Sequence, residues 1–275
     1  MPDPLPIDDP DDPRLTDFAR LDDPAFRIRH ERTLGFFVVE GPRPIRTALT
    51  SPHRGRLRSV LVTPQQHDAL ADALSAVAAP IYVAPMDLLR RIVGFDLHRG
   101  AVASVDRFPM PPLGSVVAGA RLVAVCERVN DHENLGAIFR NAAALGVDAV
   151  VLDRECSDPL YRRCVRVSIG HVLTVPWTRI EPLPRALADV RAMGFFVIAM
   201  TPRADALDIS SFSGEPDRAI ALLLGAEGSG LSDGAMAAAD ALVHIPMRDT
   251  VDSLNVATAA AIAFHRLGHP GDPDS

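Results

Sequence analysis

Lysine is absent from this 275-residue sequence, and all 28 of its Lys-plus-Arg positions are arginines. Several enzyme classes depend on a lysine amine. P-loop nucleotide hydrolases and protein kinases place it on phosphates, and pyridoxal-phosphate enzymes and Schiff-base aldolases bond it to cofactor or substrate. These classes are therefore excluded. The abundance of alanine, arginine, proline and aspartate is typical of a GC-rich genome, whose codon usage explains the missing lysine.

Cysteine is also scarce: Cys126, Cys156 and Cys164 are the three in the chain, and no two of them form a CxxC pair. An odd number of cysteines without such spacing indicates a reducing compartment, with neither a structural disulfide nor a zinc site. No cluster of histidine, cysteine or carboxylate residues has the spacing of metal ligands, so we predict no bound metal.

Long apolar runs are missing too, since none approaches the roughly 18 residues that a membrane-spanning helix needs. The N-terminus is acidic and rich in proline, unlike a signal or transit peptide. We therefore expect a soluble, cytoplasmic protein with no membrane partner.

The formal net charge is −7, from 28 basic and 35 acidic residues, but the charges are unevenly distributed. Eight aspartates alternate with prolines over residues 1–24, which predicts a flexible acidic tail. Eight arginines then face only Glu31 and Glu40 as acids: Arg27, Arg29, Arg32, Arg43, Arg46, Arg54, Arg56 and Arg58. This local excess fits either an ordinary solvated surface or a face that binds phosphates.

A second break lies over 106–119, where prolines and glycines cluster in DRFPMPPLGSVVAG. This linker separates a predicted domain at 25–105 from a larger one at 120–267, and a short polar tail covers 268–275. With 48% hydrophobic residues, the chain can bury a core in both domains.

The predicted fold class is α/β, because apolar strands alternate with helices throughout the second domain. Near-continuous apolar strands separated by helices are typical of a mostly parallel sheet that is covered on both faces. The strands are expected at 121–127, 149–153, 172–177, 195–201, 219–224 and 242–246, and the helices at 135–145, 159–168, 183–193, 231–239 and 255–267. The first domain mixes short strands with helices and is a smaller α/β domain.

Three motifs follow strands of the second domain, at the carboxyl ends where parallel sheets bind ligands. The first, NDHENLGAIFRNAAALG, opens a helix that Asn134 can cap, and its Arg140 lies off the apolar stripe. The second, LLLGAEGSGLS, runs from an apolar strand into a glycine-rich turn with Glu227 in its middle. The third, HIPMRDTVDSLNVATAAAIAFHR, leads from a strand through a polar loop into an apolar helix.

Each motif also has a plain structural explanation. Arg140 can pair with an acid on a neighbouring turn, and the glycines can form an ordinary strand-to-helix connection. Either Ser253 or Asn255 can cap the last helix. No motif decides the function alone.

Together, their order and spacing resemble the SpoU/TrmH family of SPOUT methyltransferases. The matching pattern is N-x-G-x-x-x-R, then a strand with GAEGSGLS, then IPM…VDSLNVATAAAIA, over about 120–265. The segment DPLYRRCVRVSIGHVL at 158–173 is similar to the family's segment between the first two motifs. Residues 25–105, with FFVVEGPRPI and HRGAVASV, look like the L30e-like substrate-binding domain often attached to these enzymes.

This resemblance implies transfer of a methyl group from S-adenosyl-L-methionine (AdoMet) to the 2′-hydroxyl of a specific ribose in tRNA or rRNA. It also implies a deep trefoil knot in the second domain and a homodimer formed through that domain. The implied catalytic residues are Arg140, Asn134, Glu227 and Asn255. The implied cofactor-binding residues are Thr201, Gly225, Gly230, Ile245, Met247, Ser253 and Leu254.

The arginines suggest where RNA would be held. Arg140 can clamp the phosphate beside the reacting ribose, and its pKa above about 12 favours positioning over a general-base role. Further phosphate contacts are expected from Arg43 and Arg46 in the first domain and from Arg162, Arg163 and Arg166, of which Arg162 and Arg166 share a helix face.

A catalytically inactive SPOUT-like RNA-binding or ribosome-associated protein is the alternative. The polar residues at all matched positions argue against it. A Rossmann dehydrogenase is excluded because no GxGxxG turn follows the first strand of the second domain.

Overall fold

The computed structural model describes residues 3–181, 183–203, 205–212, 218–248 and 250–268, without the side chains of 24–28. The chain forms two compact units, one comprising residues up to 109 together with 160–174, the other comprising 110–159 and the residues from 175 onward. Within the described ranges, no helix is long and apolar enough to cross a membrane.

The first unit is built on a mixed five-stranded sheet in the order β1-β4-β3-β5-β2. β1, β4 and β3 are parallel to one another, while β5 runs antiparallel to β3 and β2. In chain order the elements are β1 (Leu5–Pro6), α1 (Pro24–Leu34), β2 (Phe36–Glu40), α2 (Pro42–Thr50), β3 (Leu57–Val62), α3 (Pro64–Ala69), α4 (Ala71–Leu74), β4 (Ile81–Val83), α5 (Met86–Val93) and β5 (Ala101–Asp106). The predicted α/β class therefore holds for this unit.

The predicted flexible tail over 1–24 is wrong for the part that the structure describes. β1 pairs with β4, and a 3-10 helix at Pro13–Phe18 buries Leu15 and Phe18 in the core. Asp17 is also buried and accepts hydrogen bonds from Ser104 Oγ (2.6 Å) and Arg58 Nε (2.7 Å). Composition misled the prediction because a few apolar side chains are enough to anchor the segment, and an internal arginine neutralises one of its acids.

The second unit contains a seven-stranded sheet in the order β10-β12-β9-β11-β6-β7-β8. Every neighbouring pair is parallel, so the predicted mostly parallel sheet is confirmed. Its elements are α6 (Leu113–Val116), β6 (Leu122–Glu127), α7 (His132–Ala144), β7 (Ala149–Leu152), β8 (Trp177–Arg179), α9 (Arg185–Ala192), β9 (Phe196–Met200), β10 (Leu207–Asp208), β11 (Ile220–Gly225), α10 (Asp233–Ala237), β12 (Ala241–His244) and α11 (Val256–Leu267). Helix α8 (Arg162–Val167) lies between β7 and β8 in the chain but belongs to the first unit. The trefoil knot stays a prediction.

The domain boundaries differ from the prediction in two places. The division between the units falls inside the predicted 106–119 linker, but α6 begins within that stretch and buries Val116, so the irregular connection is shorter. Residues 160–174, predicted to lie within the 120–267 domain, are grouped with the first unit. The strand expected at 172–177 begins only at Trp177, after a 3-10 helix at His171–Leu173 and a turn. The predicted tail at 268–275 lies outside the described residues from 269 onward.

Helix α8 is held in the first unit by an ion-pair cluster on Glu40, the last residue of β2. Arg166 Nη1 lies 3.2 Å from Glu40 Oε1, and Arg162 Nε lies 3.7 Å from Glu40 Oε2. The Arg162 guanidinium also packs 4.2 Å from the ring centroid of Phe95. Both the Glu40 and Arg162 side chains are mostly buried, at 12% and 17% exposed, so this cluster is a structural contact inside the first unit.

We expect Glu40→Ala to lower the free energy of unfolding by about 1–2 kcal/mol, because it removes the mostly buried carboxylate that binds two arginines of α8. Chemical denaturation followed by circular dichroism measures the change. Asp72→Ala is the matched control, since it breaks an exposed pair with Arg46, and no measurable change is expected there. If the two variants are equally stable, Glu40 does not hold α8 in the first unit.

Candidate active site

A cavity of about 590 Å³ opens at the carboxyl ends of strands β12, β9 and β11. Each strand contributes the residues that follow it: Thr201 after β9, the glycine-rich loop after β11 and Ile245 after β12. Residues 253–256, at the start of α11, close another side. The cavity therefore lies where ligands bind in parallel α/β sheets.

The glycine-rich loop folds back on itself directly after β11. Ala226 and Gly230 form an isolated antiparallel bridge, with Gly230 N donating to Ala226 O at 3.0 Å. A Cβ on Gly225 would lie 2.3 Å from both Gly230 C and Leu231 N. Because these are backbone atoms, this turn requires glycine at position 225.

All seven residues expected to bind a cofactor line this cavity, although they are spread over more than fifty positions in the chain. They are Thr201, Gly225, Gly230, Ile245, Met247, Ser253 and Leu254. Glu227 and Asn255 line it as well. Contact of these side chains with a cofactor stays a prediction.

Three of the four expected catalytic residues form a hydrogen-bonded cluster. Asn255 Nδ2 donates to Glu227 Oε1 at 2.6 Å and to Asn134 Oδ1 at 2.8 Å. Glu227 and Asn255 are exposed and Asn134 is partly exposed, so a ligand can reach the cluster. Within the described chain, Glu227 Oε2 and Asn134 Nδ2 form no hydrogen bond, which leaves one acceptor and one donor available.

Helix caps explain why these side chains are free to meet. The predicted cap role of Asn134 is wrong: α7 begins three residues earlier than expected, because Asp131 Oδ1 accepts hydrogen bonds from the N–H groups of Glu133 and Asn134. Asn255 does cap α11, with Oδ1 accepting from Ala257 N and Thr258 N. Its cap role uses only the oxygen, so the amide nitrogen remains for the cluster.

Arg140, the fourth expected catalytic residue, lies six residues beyond Asn134 on α7 and does not line the cavity. Its side chain is exposed and forms no hydrogen bond or ion pair with the described residues. The predicted exposure is confirmed, and the alternative that Arg140 pairs with a nearby acid is wrong for the described chain. A free guanidinium of this kind remains available to an external anion.

The arginines expected to contact RNA fall into two groups. Arg43 and Arg163 are exposed. Arg46 pairs with Asp72, and this pairing holds the pKa of the Asp72 carboxyl below its usual range. Arg46 also donates to Ala69 O at 3.0 Å. Arg162 and Arg166, as described above, bind Glu40. Arg162 is therefore committed to the fold, and its predicted RNA contact loses support.

None of the three cysteines lines the cavity. Among the described residues, no group of three histidine, cysteine or carboxylate side chains could hold a metal ion. The three cysteines are buried and unpaired with one another. Burial raises the pKa of the Cys126 thiol to about 12, so it is protonated at neutral pH and is not a nucleophile.

Two residues beside the cavity, Glu127 and Arg128, are not among those that the sequence motifs indicate. Glu127 ends β6 with its carboxylate buried, and Arg128 follows it with a positive φ of 56°. An acidic residue at the end of the otherwise apolar strand LVAVCE was the available signal for Glu127. Arg203, unlike these two residues, lines the cavity, and it pairs with Asp205 through Nη2 at 2.7 Å.

The cavity fits a cofactor of the size and polarity of AdoMet. Its volume lies within the roughly 300–1,000 Å³ typical of small-molecule sites. Loops supply much of the lining, so backbone N–H and C=O groups are available to a polar ligand. Glu227 provides a negative charge at the side of the cavity where the polar cluster lies, which suits a cationic ligand.

Sequence comparison gives two kinds of relatives. A family model described as the SpoU rRNA Methylase family matches residues 121–265. An uncharacterized tRNA/rRNA methyltransferase from Mycobacterium tuberculosis is 46% identical over 265 residues, covering 95% of this chain and 91% of that protein. A 23S rRNA (guanosine-2′-O-)-methyltransferase, RlmB, from Ralstonia nicotianae is 34% identical over 197 residues, covering 69% of this chain and 78% of that protein.

Structural comparison agrees with the sequence relatives. The SpoU methyltransferase AviRb from Streptomyces viridochromogenes, solved in complex with AdoMet, superposes with a TM-score of 0.72 at 26% identity. The superposition covers 86% of this chain and 91% of AviRb. The similarity therefore extends well beyond the three motifs.

Proposed function

Because the chain belongs to the SpoU rRNA methylase family of RNA methyltransferases, whose cofactor is AdoMet, we propose that it methylates the 2′-hydroxyl of a specific ribose in rRNA or tRNA. The relatives named RlmB make a guanosine of 23S rRNA the first substrate to test. The cytoplasm as location and a homodimer through the second unit are parts of the same proposal.

The observation that carries this proposal is the Asn134–Asn255–Glu227 cluster at the side of the cavity. It places one free carboxylate oxygen and one free amide donor within a single hydrogen-bonded group. A hydroxyl that approaches the cavity can donate its hydrogen to Glu227 Oε2 while its oxygen stays exposed for reaction. An inactive RNA-binding protein would have no need of this arrangement.

AdoMet, when bound, supplies an electrophilic methyl group on a sulfonium sulfur. The task of the chain is to hold the ribose hydroxyl in line with that methyl group and to stabilise the charge that develops on its oxygen. Asn134 Nδ2 can donate to the oxygen. Arg140 holds the adjacent phosphate with its two-pronged guanidinium. The hydrogen that the hydroxyl donates to Glu227 Oε2 leaves from there, through water or through that phosphate.

The test is methyl transfer from radiolabelled AdoMet to transcripts of 23S rRNA and tRNA, followed by mapping of 2′-O-methyl sites. We expect label at one nucleotide, and loss of that label when its 2′-hydroxyl is replaced by hydrogen. The same position should lose its methyl group in RNA from a deletion strain. AdoMet binding with no transfer to any RNA would favour the inactive RNA-binding alternative.

Asn255→Asp tests the role of Asn255 in the polar cluster separately from its role as the cap of α11. Aspartate caps helices as well as asparagine does, so the free energy of unfolding should change by less than about 0.5 kcal/mol. The amide donor becomes a carboxylate facing Glu227, and the like charges should disrupt the cluster. We expect the methyl-transfer rate at saturating AdoMet to fall about 100-fold.

Thermal unfolding and single-turnover methyl transfer measure the two effects, and Asn255→Ala serves as the companion variant. It should lose both the cap, at about 1 kcal/mol, and activity. Near-normal turnover in Asn255→Asp would remove the cluster from the mechanism.

A further inference from the structure

The glycine-rich loop is held at both ends by one buried acidic residue. Glu127, which is 4% exposed, ends β6 directly opposite Gly225 in the register with β11. Its carboxylate accepts two hydrogen bonds from Ser232, where the loop ends and α10 begins: Ser232 N donates to Oε2 and Ser232 Oγ donates to Oε1, both at 2.7 Å. The loop thus leaves β11 beside the backbone of Glu127 and returns to its side chain.

Arg128 reaches the same loop from an unfavourable backbone conformation. Its φ of 56° lies in the left-handed region, which glycine adopts without strain and other residues rarely do. Its Nη2 donates to Gly230 O at 3.3 Å, whereas its buried Nε has no hydrogen-bond partner among the described residues. A strained backbone and an unpaired polar nitrogen are both unfavourable. Two contacts of Arg128 Nη2 offset them: the hydrogen bond to Gly230 O and an ion pair with Glu127 Oε2 at 3.8 Å.

The backbone turn that carries Arg128 is held by the buried carboxylate of Asp153. Asp153, also 4% exposed, accepts from Arg128 N at 3.0 Å and from Cys156 N at 2.9 Å. Arg179 donates to the carbonyls of Asp153 and Cys156 at 2.9 and 3.0 Å, and to that of Ser157 at 2.6 Å. Buried hydrogen bonds therefore fix the turn that carries Arg128, and with it the position from which the Arg128 side chain extends to the loop.

We propose that Glu127 and Arg128 form a loop brace, two positioning residues that set the shape of the glycine-rich loop and thereby the affinity for AdoMet. The proposal rests on the proposed function for the identity of the ligand. Backbone strain retained beside a ligand site is a recognised sign of function when the surrounding structure enforces it. The brace acts through the loop and does not touch the reacting atoms.

Arg128→Gly in the full-length protein tests the brace, because this change relieves the backbone strain and removes both the hydrogen bond to Gly230 and the ion pair with Glu127. We expect the melting temperature to stay equal or rise, since glycine tolerates this conformation. We expect the Kd for AdoMet, measured by calorimetry, to rise about fivefold through the lost hydrogen bond from a charged donor. A purely structural role predicts the opposite combination, a lower melting temperature with unchanged affinity.

Arg20→Gly is a matched control. Arg20 is likewise an arginine at positive φ, 52°, but its Nη2 donates to Asp23 in the first unit. The same relief of strain is expected there, with an unchanged Kd for AdoMet.

Two variants of Glu127 complete the test. Glu127→Gln keeps an acceptor oxygen for Ser232 N, and a hydroxyl can accept as well as donate, so the Kd should stay within about threefold of wild type. Glu127→Ala leaves both Ser232 donors without their acceptor, and the Kd should rise at least about tenfold. If Glu127→Ala does not fold, Arg128→Gly still decides the matter.

A wild-type Kd in Arg128→Gly, or in a folded Glu127→Ala, would overturn the brace. The readout is AdoMet binding without RNA, so a protein that binds AdoMet but methylates no RNA would defeat the proposed function and leave the brace intact.

Discussion

Arg140→Lys is expected to lower kcat for RNA methylation by more than about tenfold and Arg140→Ala by about 100- to 1,000-fold, the range seen when one charge-stabilising donor is removed from an active site. Lysine keeps the positive charge but loses the planar fork that can grip two phosphate oxygens at once. Because the Arg140 side chain is exposed and binds no described residue, neither change should affect stability. Because Arg140 does not line the cavity, the Kd for AdoMet should change less than about twofold.

Single-turnover kinetics with saturating AdoMet and RNA separate this loss from a loss of binding. Arg121→Lys is the matched control: Arg121 is also exposed in the second unit, but it precedes β6 and so lies at the opposite end of the sheet from the cavity. Its kcat should be that of wild type. Near-full activity in Arg140→Lys would show that charge alone suffices, and a raised AdoMet Kd would place Arg140 in the cofactor site.

Gly225→Ala is expected to weaken AdoMet binding about 100-fold, equivalent to about 2.8 kcal/mol since each tenfold is about 1.4 kcal/mol. The added methyl group would lie 2.3 Å from two backbone atoms of the returning loop, so the loop must open. That movement would displace Gly230 from Ala226 and alter the cavity wall. Calorimetric titration with AdoMet measures the loss directly.

Gly114→Ala controls for the addition of a methyl group in the same unit. Its Cβ would have one neighbour, Met193 Cε at 3.9 Å, which is an ordinary contact, and alanine favours the helix in which Gly114 lies. Affinity should stay unchanged there. Wild-type affinity in Gly225→Ala would mean that the loop adapts without cost and that its tight turn does not shape the cavity.

Much of the candidate site could be predicted from the sequence because three local patterns each mark a strand end. The parallel sheet brings those ends to one edge, so Glu227 and Asn255 meet although 28 positions separate them. The cap of α7 was predicted at Asn134 because asparagine is a good cap. Asp131 outcompetes it, and this leaves the Asn134 side chain for Asn255.

What could not be predicted depends on contacts between distant segments. Nothing local in the acidic N-terminal stretch indicates that Asp17 will bind Arg58, 41 positions away. Likewise, the sequence around Glu127 indicates only the end of a strand. Its hydrogen bond from Ser232, 105 positions later in the chain, is visible only in the structure. Periodicity and composition describe neighbours along the chain, and these pairings are set by tertiary packing alone.

The grouping of α8 with the first unit has a consequence for the order of events during synthesis. The last sheet strand of that unit, β5, ends at Asp106, but the helix that packs against β2 begins at Arg162. At ~5–20 residues per second, the ribosome needs roughly 3–10 s to make the intervening chain. Throughout that interval Glu40 lacks Arg162 and Arg166, so the first unit cannot be completed until part of the second has already been made.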